Sequence, residues 1–122
     1  MIPFRDFLLE QAMRAEVLDE MGNVSSDITG VDKVIYISHG KGSRHGPRIK
    51  VYAGHPGNSE YTIITVSHEP RVIGQNRANL KTSTLEDIYD WIKINHDLLM
   101  KVWKLEGSFY DVRYVLDRIK KI

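Results

Sequence analysis

Lys33-Val34-Ile35-Tyr36-Ile37-Ser38-His39-Gly40-Lys41-Gly42-Ser43-Arg44-His45-Gly46-Pro47-Arg48-Ile49-Lys50-Val51-Tyr52-Ala53 is the stretch on which the fold turns. Its ends read as strands and its middle as a connection. Val34, Ile35, Tyr36 and Ile37 are all β-branched or aromatic, which predicts a strand over 33–38. Apolar residues on both of its faces place that strand inside a sheet rather than at an edge. Over 48–53 the pattern alternates. Ile49, Val51 and Ala53 share one face, and Arg48, Lys50 and Tyr52 share the other. One face is core; the other presents two cations and a phenol. The glycine-rich link between the strands is too short for a parallel crossover, so the pair is antiparallel.

Working outward, Gly54-His55-Pro56-Gly57-Asn58 has the composition of a turn, and 61–66 reads as a third strand. Val72-Ile73, between Pro70 and Gly74, is a short fourth strand at the edge. Upstream, Phe4, Phe7, Leu8, Met13, Val17, Leu18 and Met21 recur at three- and four-residue steps, predicting a helix over 3–21. Pro3 suits its first turn and Gly22-Asn23 its end. Residues 24–32 read as a loop. Downstream, 74–82 is a polar connection. Ser83-Thr84-Leu85-Glu86 matches a capping box, and Leu85, Ile88, Tyr89, Ile92, Leu99, Val102 and Trp103 keep helical spacing in one helix that Gly107 ends. Ser108 is then the expected cap of a last helix lined by Phe109, Val112, Val115, Leu116, Ile119 and Ile122. The expectation is a single α+β domain over 1–122. It is a small antiparallel sheet of three to four strands with an N-terminal helix and two C-terminal helices packed on one face.

Composition bounds the classes. Hydrophobic residues make up 42 % and charged residues 27 %, a globular balance rather than a disordered one. The absence of cysteine removes disulfides, thiolate zinc sites and cysteine nucleophiles together. Apolar runs are too short for a membrane span, and the first residues lack the basic flank and apolar block of a signal peptide. The expectation is a cytoplasmic protein with no membrane partner. Charge is segregated along the chain. Residues 1–38 hold three basic and seven acidic side chains, 39–81 seven basic and two acidic, and 82–122 seven of each. The middle third can therefore carry a positive potential on a nearly neutral chain.

The candidate site lies in that third. Gly40, Gly42 and Gly46 let backbone N–H groups converge, and Lys41, Arg44, His45, Arg48 and Lys50 suit phosphate oxygens, with Tyr52 beside them. Arg71 and Arg77 join if the later loop folds back. No Walker or dinucleotide glycine spacing occurs. Histidine spacing is loose and local acids are few, so no metal or other cofactor is expected. His39 and His45 are the pair to consider for metal-free RNA cleavage. Tyr36, Tyr52, Tyr61, Tyr110 and Tyr114 suit a protein interface.

Arg44-His45-Gly46-Pro47-Arg48-Ile49-Lys50-Val51, with Asn95-His96-Asp97-Leu98-Leu99-Met100-Lys101-Val102-Trp103, resembles a family of short bacterial domains of unknown function. These carry a PPH-x-HV-like strand after a hairpin and a later helix ending in Leu-Leu-x-x-Trp, and members often lie beside small antitoxin-like partners. The resemblance covers about residues 33–103 and implies a small β-meander with a C-terminal helix. Arg48 and Lys50 stand where the family has histidines, which favours an anion-binding surface over a metal site. The leading expectation is a non-enzymatic binding protein that holds a nucleic acid or nucleotide. The alternative is a protein-interaction module: a phage-type inhibitor of a host defence or nucleoprotein complex, or a toxin–antitoxin component. A small metal-independent RNase comes third. A nucleic-acid-associated protein as partner and a homodimer remain open.

Overall fold

Five strands form one antiparallel meander in the computed structural model, which describes residues 22–40 and 43–122. They are β1 (Asn23–Val24), β2 (Ile35–Ile37), β3 (Arg48–Tyr52), β4 (Tyr61–Thr65) and β5 (Val72–Ile73), ordered in space as in sequence. Short helix α1 (Ser26–Thr29) links β1 to β2; α2 (Thr82–Ile94), α3 (His96–Lys104) and α4 (Val112–Leu116) follow the sheet. The helix expected over 3–21 lies outside the described residues, as do Lys41 and Gly42.

The alternation in β3 decides the layering. Ile49 and Val51 are buried, together with Ile35 and Ile37 of β2 and Thr62 and Ile64 of β4. The apolar ones among them join Ile88, Trp91, Ile92, Leu99, Val102 and Val115 of the helices in one apolar cluster. A fully buried large side chain gains about 1.5–3 kcal/mol over an exposed one, so this shared face holds sheet and helices together. The chain is thus α+β with an antiparallel sheet, as its pattern predicts. Among the described residues no helix is long and apolar enough to cross a membrane.

Several boundaries differ from expectation. The sheet has five strands rather than three to four, because Asn23 and Val24 pair with Tyr36 and Ile35. Two residues show no period, so their strand character comes only from the neighbour that supplies hydrogen bonds. The long C-terminal helix is two helices. Asn95, 2 % exposed, interrupts it at φ −109°, ψ 15°. Its Nδ2 donates to the carbonyls of Trp91 (3.0 Å) and Lys120 (2.9 Å), and its Oδ1 accepts from the Lys120 N–H (2.8 Å). The apolar spacing continues through this bend, which is why periodicity alone misses it. α3 ends at Leu105 (φ 54°), before Gly107.

The capping box does not form. α2 begins two residues earlier, behind Lys81, and no side chain caps it. The last helix is shorter than expected and is capped by Asp111 rather than Ser108, with the Asp111 carboxylate accepting from the N–H groups of Arg113 and Tyr114. Asp and Ser are near-equal N-cap residues, so the choice falls to whichever fits the preceding turn.

Candidate nucleic-acid interface

The sheet face opposite the helices carries most of the candidate residues. In an antiparallel ladder, directly opposed residues share a face. Tyr36 opposes Lys50, Lys50 opposes Ile63, and Ile63 opposes Ile73, which makes a row across four strands. Two residues along, Tyr52 opposes Tyr61. Two residues the other way, Arg48 opposes Thr65, and Thr65 bonds to the backbone of Arg71: its N–H donates to the Arg71 carbonyl and its hydroxyl accepts from the Arg71 N–H, both at 3.0 Å. Rows on one face lie about 7 Å apart along a strand. The face therefore grades from two arginines, through a central lysine, to a tyrosine pair.

Lys50 is held among the rings. Its Nζ lies 4.7 Å from the Tyr61 centroid and 5.5 Å from that of Tyr36. Cation–π attraction of this kind contributes about 0.5–1 kcal/mol at exposed sites, and it fixes the position of the ammonium without neutralising it. Tyr52 and Tyr61 meet edge to face at 5.8 Å. Burial, and then the neighbouring Tyr61 phenol, push the Tyr52 hydroxyl above its ordinary value of 10.0. It remains a neutral donor throughout the physiological range. Among the described residues, neither Arg48, Lys50, Arg71 nor Arg77 is paired with a carboxylate.

The glycine-rich connection divides in two. Its root is fixed: the Gly40 N–H donates to the Trp103 carbonyl (2.8 Å), and a Cβ on Gly40 would overlap the indole ring. Its far part is exposed. Arg44 and His45 stand in solvent, beside a local turn in which the Ser43 N–H donates to the Gly40 carbonyl (2.8 Å) and the Ser43 hydroxyl accepts from the His45 N–H (3.0 Å). Arg48 Nε donates back to the Gly46 carbonyl (3.3 Å), so this guanidinium marks where loop and sheet face meet.

Of the residues proposed from sequence, Arg48, Lys50, Tyr52 and Arg71 fall on the outer face. Arg44 and His45 lie on the loop leading into Arg48, and Lys41 lies outside the described residues. Arg77 stands apart from the other arginines, in a groove with Tyr61. Nothing brings His39 and His45 together as a catalytic pair. His39 has a buried Nδ1 without a hydrogen-bond partner, His45 is exposed, and no bond or ring contact joins them.

The groove was not legible in the sequence. Glu60, Tyr61, Ile63, Ile73, Gly74, Gln75 and Arg77 enclose about 510 Å³ at the edge of the outer face. Its far wall is set by a buried hydroxyl. Thr62 Oγ1 donates to Asn76 Oδ1 (2.8 Å) and accepts from the Ala78 N–H (2.9 Å). Asn76 in turn donates to the Leu80 carbonyl and accepts from the Leu80 N–H, both at 3.0 Å. Asn76 thus bonds inward, and the segment it anchors carries Gln75 and Arg77 beside Tyr61. Sequence spacing also missed a contact across the domain: the rings of His68 and His96 stack at 4.2 Å. Among the described residues no three His, Asp or Glu side chains gather as a metal site.

No family model, curated protein or solved structure matches this chain.

Proposed function

We propose that this protein is a binding module for a phosphate-bearing partner, and that the partner is nucleic acid held against the outer face of the sheet. The observation that carries this reading is the placement of Lys50. Among the described residues the Lys50 ammonium has no carboxylate partner; it lies by the rings of Tyr36 and Tyr61, with Tyr52 one row away on one side and Arg48 and Arg71 one row away on the other. Fixed cations meet phosphates, and aromatic rings offer faces to bases; surfaces that bind nucleic acid without enzymatic chemistry combine the two. A free nucleotide needs only one anion site, whereas these cations are spread along the strands. A chain of phosphates uses that spread better.

The test is binding of labelled single- and double-stranded DNA and RNA across a salt series, with gels of the same samples to detect cleavage. Contacts from Arg48, Lys50 and Arg71 predict a slope of log affinity against log salt of about −2 for a single strand. Arg48→Ala combined with Lys50→Ala should abolish binding while unfolding stays cooperative. Absence of binding, or binding that ignores salt, would replace this reading with a protein partner on the same face. Cleavage would revive the RNase reading.

A further inference from the structure

The groove at the sheet edge has a composition that the cationic rows do not explain. Tyr61 forms one wall and is 37 % exposed, a large fraction for an aromatic ring on a strand. Ile63 and Ile73, opposed across β4 and β5, supply an apolar floor. Around them stand one amide, one carboxylate and one guanidinium: Gln75, Glu60 and Arg77. We propose that this groove is a pocket for one unpaired nucleobase, so that the protein selects single-stranded over double-helical nucleic acid. The inference rests on the nucleic-acid reading above and adds to it a base-recognition site.

Three features favour a base over a phosphate here. Glu60 is the first. A carboxylate repels phosphate oxygens but accepts hydrogen bonds from the exocyclic amino groups of cytosine, adenine or guanine. Gln75 is the second, since an amide carries donor and acceptor together and matches the mixed edge of a base. The third is the flat ring of Tyr61 beside the apolar side chains of Ile63 and Ile73, a surface that suits a flat ring and gives a phosphate nothing. Arg77 lines the groove itself, and Lys50 lies just outside it. Lys50 opposes Ile63 directly and reaches the Tyr61 ring at 4.7 Å, so a backbone passing Lys50 can turn its base toward the groove. The volume of about 510 Å³ lies within the range of small-ligand pockets and is ample for a base with its sugar. A duplex keeps its base edges paired and its bases stacked, so only an unpaired base can enter.

The wall is also built in advance. Thr62, Asn76 and Leu80 fix the connection that carries Gln75 and Arg77, so little ordering remains to be done on binding. Preorganisation of this kind lowers the cost of association.

The experiment measures fluorescence anisotropy of labelled octamers on the intact protein. It compares homopolymer single strands of each base, a strand with the same backbone whose residues are abasic, and a blunt duplex. The expected result is at least tenfold tighter binding of an amino-bearing base strand than of the abasic strand or the duplex. Gln75→Ala, at an exposed position, should shrink the preference among homopolymers and leave the salt slope unchanged. Equal affinity for abasic and base-bearing strands, or a preference for duplex, would overturn the base pocket while the phosphate-binding reading stands. Failure of every strand to bind would overturn both.

Discussion

Two polar connections leave this sheet, and they are built in opposite ways. The connection over 39–47 is conspicuous in sequence, dense in glycine and cations, and among its described residues the bonds to the rest of the fold lie at its two ends, Gly40 to Trp103 and Pro47 to Val66. Its Arg44 and His45 stand in solvent. The connection over 74–81 draws less attention, but a buried threonine and an asparagine tie it down through its middle, at Asn76, Ala78 and Leu80. Charge density marks where a chain can meet an anion. Fastening marks where it can present groups in a fixed arrangement, and recognition of a particular ligand needs the second.

Removing a fastening should therefore cost more than removing an exposed charge. Thr62→Val keeps volume but leaves the Ala78 N–H unpaired and takes from Asn76 Oδ1 one of its two donors, the other being the Leu80 N–H. It should lower stability by about 2–3 kcal/mol in urea titration. Gly40→Ala, which places a methyl against the Trp103 ring, should cost about 2 kcal/mol by the overpacking it forces. If either variant unfolds at the wild-type midpoint, the contrast between the connections is wrong.

The next effect concerns the face between them. Lys50→Gln should weaken single-strand binding about tenfold, or about 1.4 kcal/mol. It should also make the salt slope shallower by about 0.7, the share of one phosphate contact. Arg44→Ala should change stability by less than about 0.5 kcal/mol, and its binding loss should be smaller than that of Lys50→Gln. Reversal of that order would move the site from the sheet to the loop.

The smallest effect is a pH dependence. Tyr52 titrates above its ordinary value in the folded chain, chiefly through burial, so folding favours its protonated form. That contribution is complete below pH 10.0 and is lost as pH rises through the raised folded value. Tyr52→Phe should flatten the corresponding alkaline decline in melting temperature. An unchanged decline would assign it to other groups.

The sequence alone settles whatever depends on neighbours along the chain. Alternation of apolar and polar residues in β3 sorted Ile49 and Val51 inward and Arg48, Lys50 and Tyr52 outward, because successive side chains on a strand must point to opposite faces. The short links made the sheet antiparallel, and Val72-Ile73 lies at its edge as its flanking proline and glycine required. The tertiary structure decided what depends on residues distant in sequence. Asn23 and Val24 became a strand because β2 was there to pair with them. Asn95 bent a helix whose apolar spacing ran straight on, because its amide bonds to Lys120, twenty-five residues later. The groove arose in the same way. Thr62 and Asn76 carry no local signal of contact, and their hydrogen bond sets Gln75 and Arg77 beside Tyr61. Periodicity records which face of an element is buried; it does not record which buried polar group will find its partner across the fold.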